Sequence, residues 1–273
     1  MAEGGGRTFA ARAYFALCRA LGWALRSSTY SAVRIVDHDG ELQVRKHRSF
    51  YAPLLIWMGE ALLRILDTGV RVLPQREWEA RERRIYQDVY GRSIRIDADR
   101  TLVLPRLAGK TLANVLDDPA VNDAVRTRSI ELAVVALVEF HRRGLTHGDA
   151  MAENVLVDLE SAVARWFDFE TVHDSIRPLV WRRADDVRAL LVTCLTRTVP
   201  GKRAETLERI LDVYGDEDVT CVVATTFGTV MQRPLPFHLG QAGLSFDGYR
   251  EIARLLTELV GEQRTSRVRR RSP

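Results

Sequence analysis

Three polar residues set the terms on which this chain can do chemistry. In the run from Leu145 to Asp158, Leu-Thr-His-Gly-Asp-Ala-Met-Ala-Glu-Asn-Val-Leu-Val-Asp, Asp149 follows His147 and Gly148, and Asn154 comes five residues after Asp149. Asp168 lies fourteen residues beyond Asn154, in Arg-Trp-Phe-Asp-Phe-Glu. A carboxylate on a short loop can orient an attacking hydroxyl and accept its proton. A side-chain amide and a second carboxylate can hold a divalent cation such as Mg²⁺ against phosphate oxygens. Together these are the requirements of phosphoryl transfer. The residues between them read as a hairpin: Val155 to Asp158, a turn at Leu159 to Ala162, then Val163 to Phe167. Such a hairpin returns Asp168 to face Asn154. A His-Gly-Asp turn before a strand also occurs as a plain hairpin, because short motifs match by chance; the common register of all three groups argues for a cleft.

This pattern resembles the catalytic loop and metal-binding motif of the protein-kinase-like superfamily, His-x-Asp-x-x-x-x-Asn followed by a strand pair and Asp-Phe-Gly. The resemblance spans roughly residues 32–191. It implies an α+β, two-lobed fold with a small β-rich N-lobe and a mainly helical C-lobe, ATP as phosphate donor and Mg²⁺ as cofactor. On this resemblance Asp149 is the catalytic carboxylate, and Asn154 and Asp168 are the metal ligands. Lys46, in Leu-Gln-Val-Arg-Lys, falls where the superfamily places its phosphate-contacting lysine. The chain writes arginine almost everywhere, its only lysines being Lys46, Lys110 and Lys202, so an ammonium here suggests that a compact cation is needed. A solvated edge lysine is the plainer alternative. Glu82 is the chosen partner for Lys46 and Glu79 the reserve, on a charged helix that begins at Pro74 and stops at Gly91. A solvated helix face is the alternative for either glutamate. Backbone groups from Pro105 to Leu107, where an apolar strand becomes a linker, are placed to read adenine. Asp186, in Arg-Arg-Ala-Asp-Asp, is placed to brace the catalytic loop.

The sequence departs from the superfamily pattern in three places. No Gly-rich loop precedes the hairpin that carries Lys46, and Ser28, in Ser27-Ser28-Thr29, is the substitute for holding phosphate by backbone N–H groups. The motif glycine after Phe169 is Glu170, and only about sixteen residues separate Glu170 from Asp186, with no Ala-Pro-Glu between them. These features are similar to the minimal, atypical kinases: bacterial lipopolysaccharide-core (Kdo/heptose) sugar kinases, RIO-type kinases and aminoglycoside phosphotransferases. Asp-Phe followed by an acid, and then Arg-Arg-Ala-Asp-Asp, most resembles the lipopolysaccharide kinases. The expected acceptor is therefore a hydroxyl on a sugar of a lipid-linked or lipopolysaccharide-type glycoconjugate. Two alternatives stand beside it. One is an atypical serine/threonine protein kinase; the other is a pseudokinase that binds nucleotide or serves as a scaffold, which Glu170 and the missing Gly-rich loop favour.

The rest of the chain must supply the frame. With 273 residues, 46% of them hydrophobic, it can bury a sizeable core in one large domain or two lobes. Residues 1–26 are read as an N-terminal amphipathic helix in which Arg12, Arg19 and Arg26 recur every seven residues. Residues 27–107 would form the N-lobe, with a helical insertion over 49–72, and 108–262 the C-lobe. Residues 263–273 read as a basic, disordered tail. In the insertion, Tyr51 to Met58 is almost wholly apolar, and Trp57 and Leu62 could meet lipid or a partner; burial is the favoured account. Cys18, Cys194 and Cys221 have neither metal-ligand spacing nor an even count, which points to core thiols in a reducing compartment. No uncharged run is long enough to span a bilayer. A cytoplasmic location follows, with peripheral contact at the inner face of a membrane left open by the basic N-terminal and C-terminal segments. Nucleic acid is not expected as a partner, because interspersed acids bring the formal charge down to +4.

Overall fold

The computed structural model describes residues 12, 13, 16, 31–65, 67–227 and 244–271, with side chains as far as residue 261. The chain is α+β, with a small antiparallel sheet near the N-terminus and a mainly helical remainder. Strand β1 (Ser31–His38) and β2 (Glu41–Arg48) form a hairpin in which Ser31 pairs with Arg48 and His38 with Glu41. Its two-residue turn, Asp39-Gly40, has φ of 55° and 83°. That left-handed pair matches the strand twist and is what an Asp-Gly sequence supplies.

Helix α1 (Ala52–Ile65) follows, and then β3 (Val70–Val72). The helical reading of 49–72 is thereby corrected at its end. Asp67 and Gly69 take positive φ, which stops the helix, and Gly69 must be a glycine because a Cβ there would lie 2.6 Å from the Trp181 ring. Freed from the helix, Val-Arg-Val alternates and pairs antiparallel with β9 (Thr171–His173). The expected burial of this segment is corrected too. Helix α1 buries only the narrow stripe Ala52, Ile56, Gly59 and Leu63, while Leu54, Trp57, Met58 and Ile65 are exposed, Trp57 to 67%. Beside β3 the helix has one face to bury, and the second apolar face stays in water.

Helix α2 (Gln75–Tyr90) starts after Pro74, whose φ of −58° suits a helix entry, and ends at Gly91, whose φ of 61° lets its N–H reach the carbonyl of Gln87. Strands β4 (Arg95–Ile96) and β5 (Leu102–Pro105) complete the first sheet in the order β1-β2-β5-β4. The chain then passes through β6 (Lys110–Thr111), α3 (Leu112–Asp117) and α4 (Asp123–Arg142), where Thr111 and Asn122 cap the two helices. A 3₁₀ turn at Ala152–Asn154 leads into β7 (Val155–Asp158) and β8 (Val163–Trp166), which with β6 make a second antiparallel sheet.

Helix α5 (Leu179–Arg197) is the centre of the helical part and is buried continuously from Ala184 to Leu195. Such a helix has no solvent face, so its ionisable residues must find partners inside the protein. Helices α6 (Arg203–Tyr214) and α7 (Glu217–Phe227) pack against it, and α8 (Phe246–Arg271) packs on those two. Cys194 lies in this core, and burial pushes its thiol up to about 12. The expected disordered tail is corrected at residues 263–271, which continue α8. No glycine or proline interrupts that stretch, and arginine is a good helix former whose charge suits a helix C-terminus. Of the N-terminal amphipathic helix only Arg12, Ala13 and Ala16 are described; they are helical, and Arg12 lies 3.9 Å from Asp247 and over the Phe246 ring. The remainder of that helix lies outside the described residues.

Candidate active site

Residues 147–154 are held from beneath by one carboxylate. Asp186 of α5 accepts hydrogen bonds from the backbone N–H of His147 at 2.7 Å and of Gly148 at 2.9 Å, and lies 2.9 Å from His141 Nε2. Burial works against its charge, but the imidazoles of His173, His141 and His147 and the hydrogen bond from His141 hold its pKa down to about 2. Gly148 has φ of 87°, and a Cβ on it would lie 3.0 Å from Val172 Cα, so the loop and the strand β9 backbone touch. Only glycine meets both conditions. At the far end of the loop Ala152 donates to Thr193 Oγ1 of α5 at 3.0 Å.

Asp149 and Asn154 meet directly. The Asn154 amide nitrogen donates to both the carbonyl and Oδ2 of Asp149, each at 2.9 Å. Those bonds use the nitrogen and leave the amide oxygen as an acceptor. Asp168 is brought close by backbone pairing. Phe167 N–H donates to the Asn154 carbonyl at 3.0 Å, continuing the β7–β8 ladder, and His147 Nε2 lies 2.9 Å from the Phe167 carbonyl. Buried as it is, His147 has its pKa lowered, since burial disfavours the imidazolium more than nearby Asp186 and Asp149 favour it.

Lys46 spans to the same place from the first sheet. Its ammonium donates to Asp168 Oδ1 at 2.7 Å and to Glu82 Oε1 at 3.3 Å, and it is 5% exposed. Burial would lower the lysine's pKa, yet the carboxylates of Asp168, Glu82 and Glu170 outweigh it and raise the value well above the ordinary one. Asp168 is likewise raised by burial and lowered more strongly by Lys46, with a net fall. Its φ of 68° lies in the left-handed region, which aspartate enters more readily than most non-glycine residues. Glu82 also accepts from Trp78 Nε1 at 3.2 Å and from Phe169 N–H at 3.3 Å. Glu79, the reserve, pairs instead with Arg100 at 2.6 Å and with Gln75 at 2.7 Å.

The structure thus joins Lys46, Glu82 and Asp168 in one cluster, Asp149 and Asn154 in another, and links the two through Phe167. Pro105 and Leu107 stand at the end of β5, where Arg106 N–H bonds to the Leu42 carbonyl and a cavity of about 720 Å³ opens beside Pro105 to Gly109. Gly109 has φ of 111°, and a Cβ there would meet the Val157 carbonyl at 2.5 Å, so this linker lies against β7. Ser28 lies outside the described residues. No group of three or more His, Cys, Asp or Glu able to hold a metal exists among the described residues. Asn154 and Asp168 provide one amide oxygen and one carboxylate, a donor set that suits Mg²⁺ when phosphate oxygens and water complete the shell.

Three contributors were not legible beforehand. Arg81 reaches from α2 to the Thr146 carbonyl at 2.7 Å, and its burial lowers its pKa to about 10. Trp78 holds Glu82 in place. Arg48 sits 4.1 Å over the Trp78 ring and donates to the Leu73 carbonyl at 2.7 Å and to Glu170 at 3.3 Å. Its spacing from Lys46 along one strand was the available signal, because residues two apart share a face. No family model matches this chain, and no curated protein was found similar to it.

Proposed function

We propose that this protein is a phosphotransferase of the protein-kinase-like type, with a two-lobed fold whose small lobe is the β1-β2-β5-β4 sheet and α2. It uses Mg-ATP to phosphorylate a hydroxyl, the expected acceptor being a sugar of a lipid-linked or lipopolysaccharide-type glycoconjugate. The observation that carries the reading is the convergence of Lys46, Glu82 and Asp168 from three distant stretches of chain beside the Asp149–Asn154 pair. A cluster of one ammonium and two carboxylates, with Lys46 and Glu82 buried, is costly to fold unless its charge is used.

On this reading each residue of the two clusters has a role. Lys46, fixed by Glu82, presents an ammonium to phosphate oxygens. Asn154 and Asp168 would hold Mg²⁺, which would supply positive charge against the negative charge that develops during phosphoryl transfer. Asp149, oriented by the Asn154 amide, receives the proton of the attacking hydroxyl. Buried His147, its pKa lowered, ties the loop to Phe167 and accepts the Asp149 N–H at Nδ1. A small acceptor fits the chain better than a peptide does. Between Glu170 and α5 there are only residues 171–178, and they are spent on β9 and one turn, so no length is left for a peptide-binding segment.

Calorimetric titration of Mg-ATP into the full chain tests the reading. Binding that requires the metal and is abolished in Asp168→Ala is expected, as is turnover on a sugar acceptor that falls at least about 100-fold in Asp149→Ala. Absence of binding at millimolar nucleotide would sink it.

A further inference from the structure

Asp168 and Glu170 face two cations that are also two residues apart. Lys46 and Arg48 are the buried positions at the end of β2, while His47 between them is exposed. Lys46 takes Asp168 and Arg48 takes Glu170, so the two pairs stand as successive rungs between one strand and one loop. Behind each rung lies a residue of α2 one helical turn from the other: Glu82 behind Lys46, and Trp78, under the Arg48 guanidinium, bonded to Glu82. Glu170 is tied further by Ser31 Oγ at 3.3 Å and by its own carbonyl, which accepts from Leu73 N–H at 2.8 Å, just before the β3–β9 pairing begins.

We propose that Arg48 and Glu170 are a positioning pair that keeps Asp168 in the site permanently, resting on the phosphotransferase reading for its consequence. Glu170 fills the place where the superfamily motif has a glycine, and that substitution by itself suggests a lost activity. Its carboxylate instead anchors the loop to the strand that carries Lys46. Asp168 takes a left-handed φ of 68°, and the second rung, two residues on, fixes the segment that follows it. Since all the partners are within the chain, the metal-binding carboxylate is set without a phosphorylated segment or a partner protein. The site is therefore constitutively assembled.

The test uses the full-length protein and two variants, Glu170→Gln and Arg48→Met, each checked for a cooperative melt. Hydrogen exchange followed by mass spectrometry is the first readout and needs no nucleotide. Amides of residues 168–173 and 70–73 should exchange at least about tenfold faster in both variants, with α4 and α5 unchanged; unchanged exchange at 168–173 overturns the proposal. The second readout is the Mg²⁺ concentration that half-saturates ATP binding. It should rise about fivefold or more in both variants, whereas metal-free nucleotide binding, which depends on Lys46, should hold; a pair that merely stabilises the fold would leave that concentration unmoved and refute the role. A wild-type protein that binds no Mg-ATP would defeat the phosphotransferase reading, and the exchange result would still decide whether the pair positions the loop.

Discussion

The two halves of the candidate site are braced by different physics. The loop 147–154 hangs on Asp186, whose partners are two backbone N–H groups and a histidine, all inside the helical core. The segment 168–170 hangs on ion pairs that cross from the first sheet, Lys46 with Asp168 and Arg48 with Glu170. Backbone donors cannot be moved without unfolding the turn that carries them. The comparison teaches that residues 147–154 are fixed through backbone donors, whereas on the 168–170 side Arg48 and Glu170 hold the loop and Lys46 is the side-chain cation that can exchange Asp168 for a ligand.

The largest effect should come from removing the rigid brace. Asp186→Ala leaves two buried N–H groups and His141 without their acceptor, and should cost about 3–5 kcal/mol of stability, read as a fall in Tm and in denaturation midpoint. A loss under about 1 kcal/mol would mean that the loop is held by something else. Glu82→Gln, beside the exchangeable Lys46, should unfold the protein less and act on binding, since its ionic partner Lys46 keeps Asp168.

An intermediate effect should appear with pH. His147 is buried with a lowered pKa, so the unfolded chain binds a proton that the native one refuses. Its contribution to stability is complete above the unfolded value, about 6.5, and is lost as pH falls below that. Asp186 acts in the same direction but lower, keeping its contribution down to about pH 4 and losing it as pH falls toward about 2. Denaturation midpoints should decline between pH 7 and 5, and His147→Gln should flatten that decline. A profile unchanged by the substitution would remove His147 from the rigid half.

The smallest effect should be at Glu79. It lies one turn from Glu82 on the same helix, but its partner Arg100 is half exposed, and such pairs contribute about 0–1 kcal/mol. Glu79→Gln should therefore shift Tm slightly and leave Mg-ATP affinity unaltered, whereas Glu82→Gln should weaken that affinity several-fold. Equal effects from the two would erase the distinction between a carboxylate that serves Lys46 and one paired with Arg100.

Spacing made the hairpin of Asp149, Asn154 and Asp168 legible, because strand pairing is local and its register follows from the turn between β7 and β8. Pro74 and Gly91 marked the ends of α2 for the same reason: a helix-end signal acts on its own first or last turn. The end of α1 at Ile65 was hidden, since the strand that follows exists only by pairing with β9 about a hundred residues on. Glu82 is preferred to Glu79 from the sequence, and the packing of α2 adds where the reserve goes, since Glu79 is also buried but pairs with Arg100. Arg48 and Glu170 show the division most plainly. Each was visible as a charged residue beside a motif, but which cation meets which carboxylate depends on how a strand and a loop 122 residues apart are brought together, and only the packed core decides that.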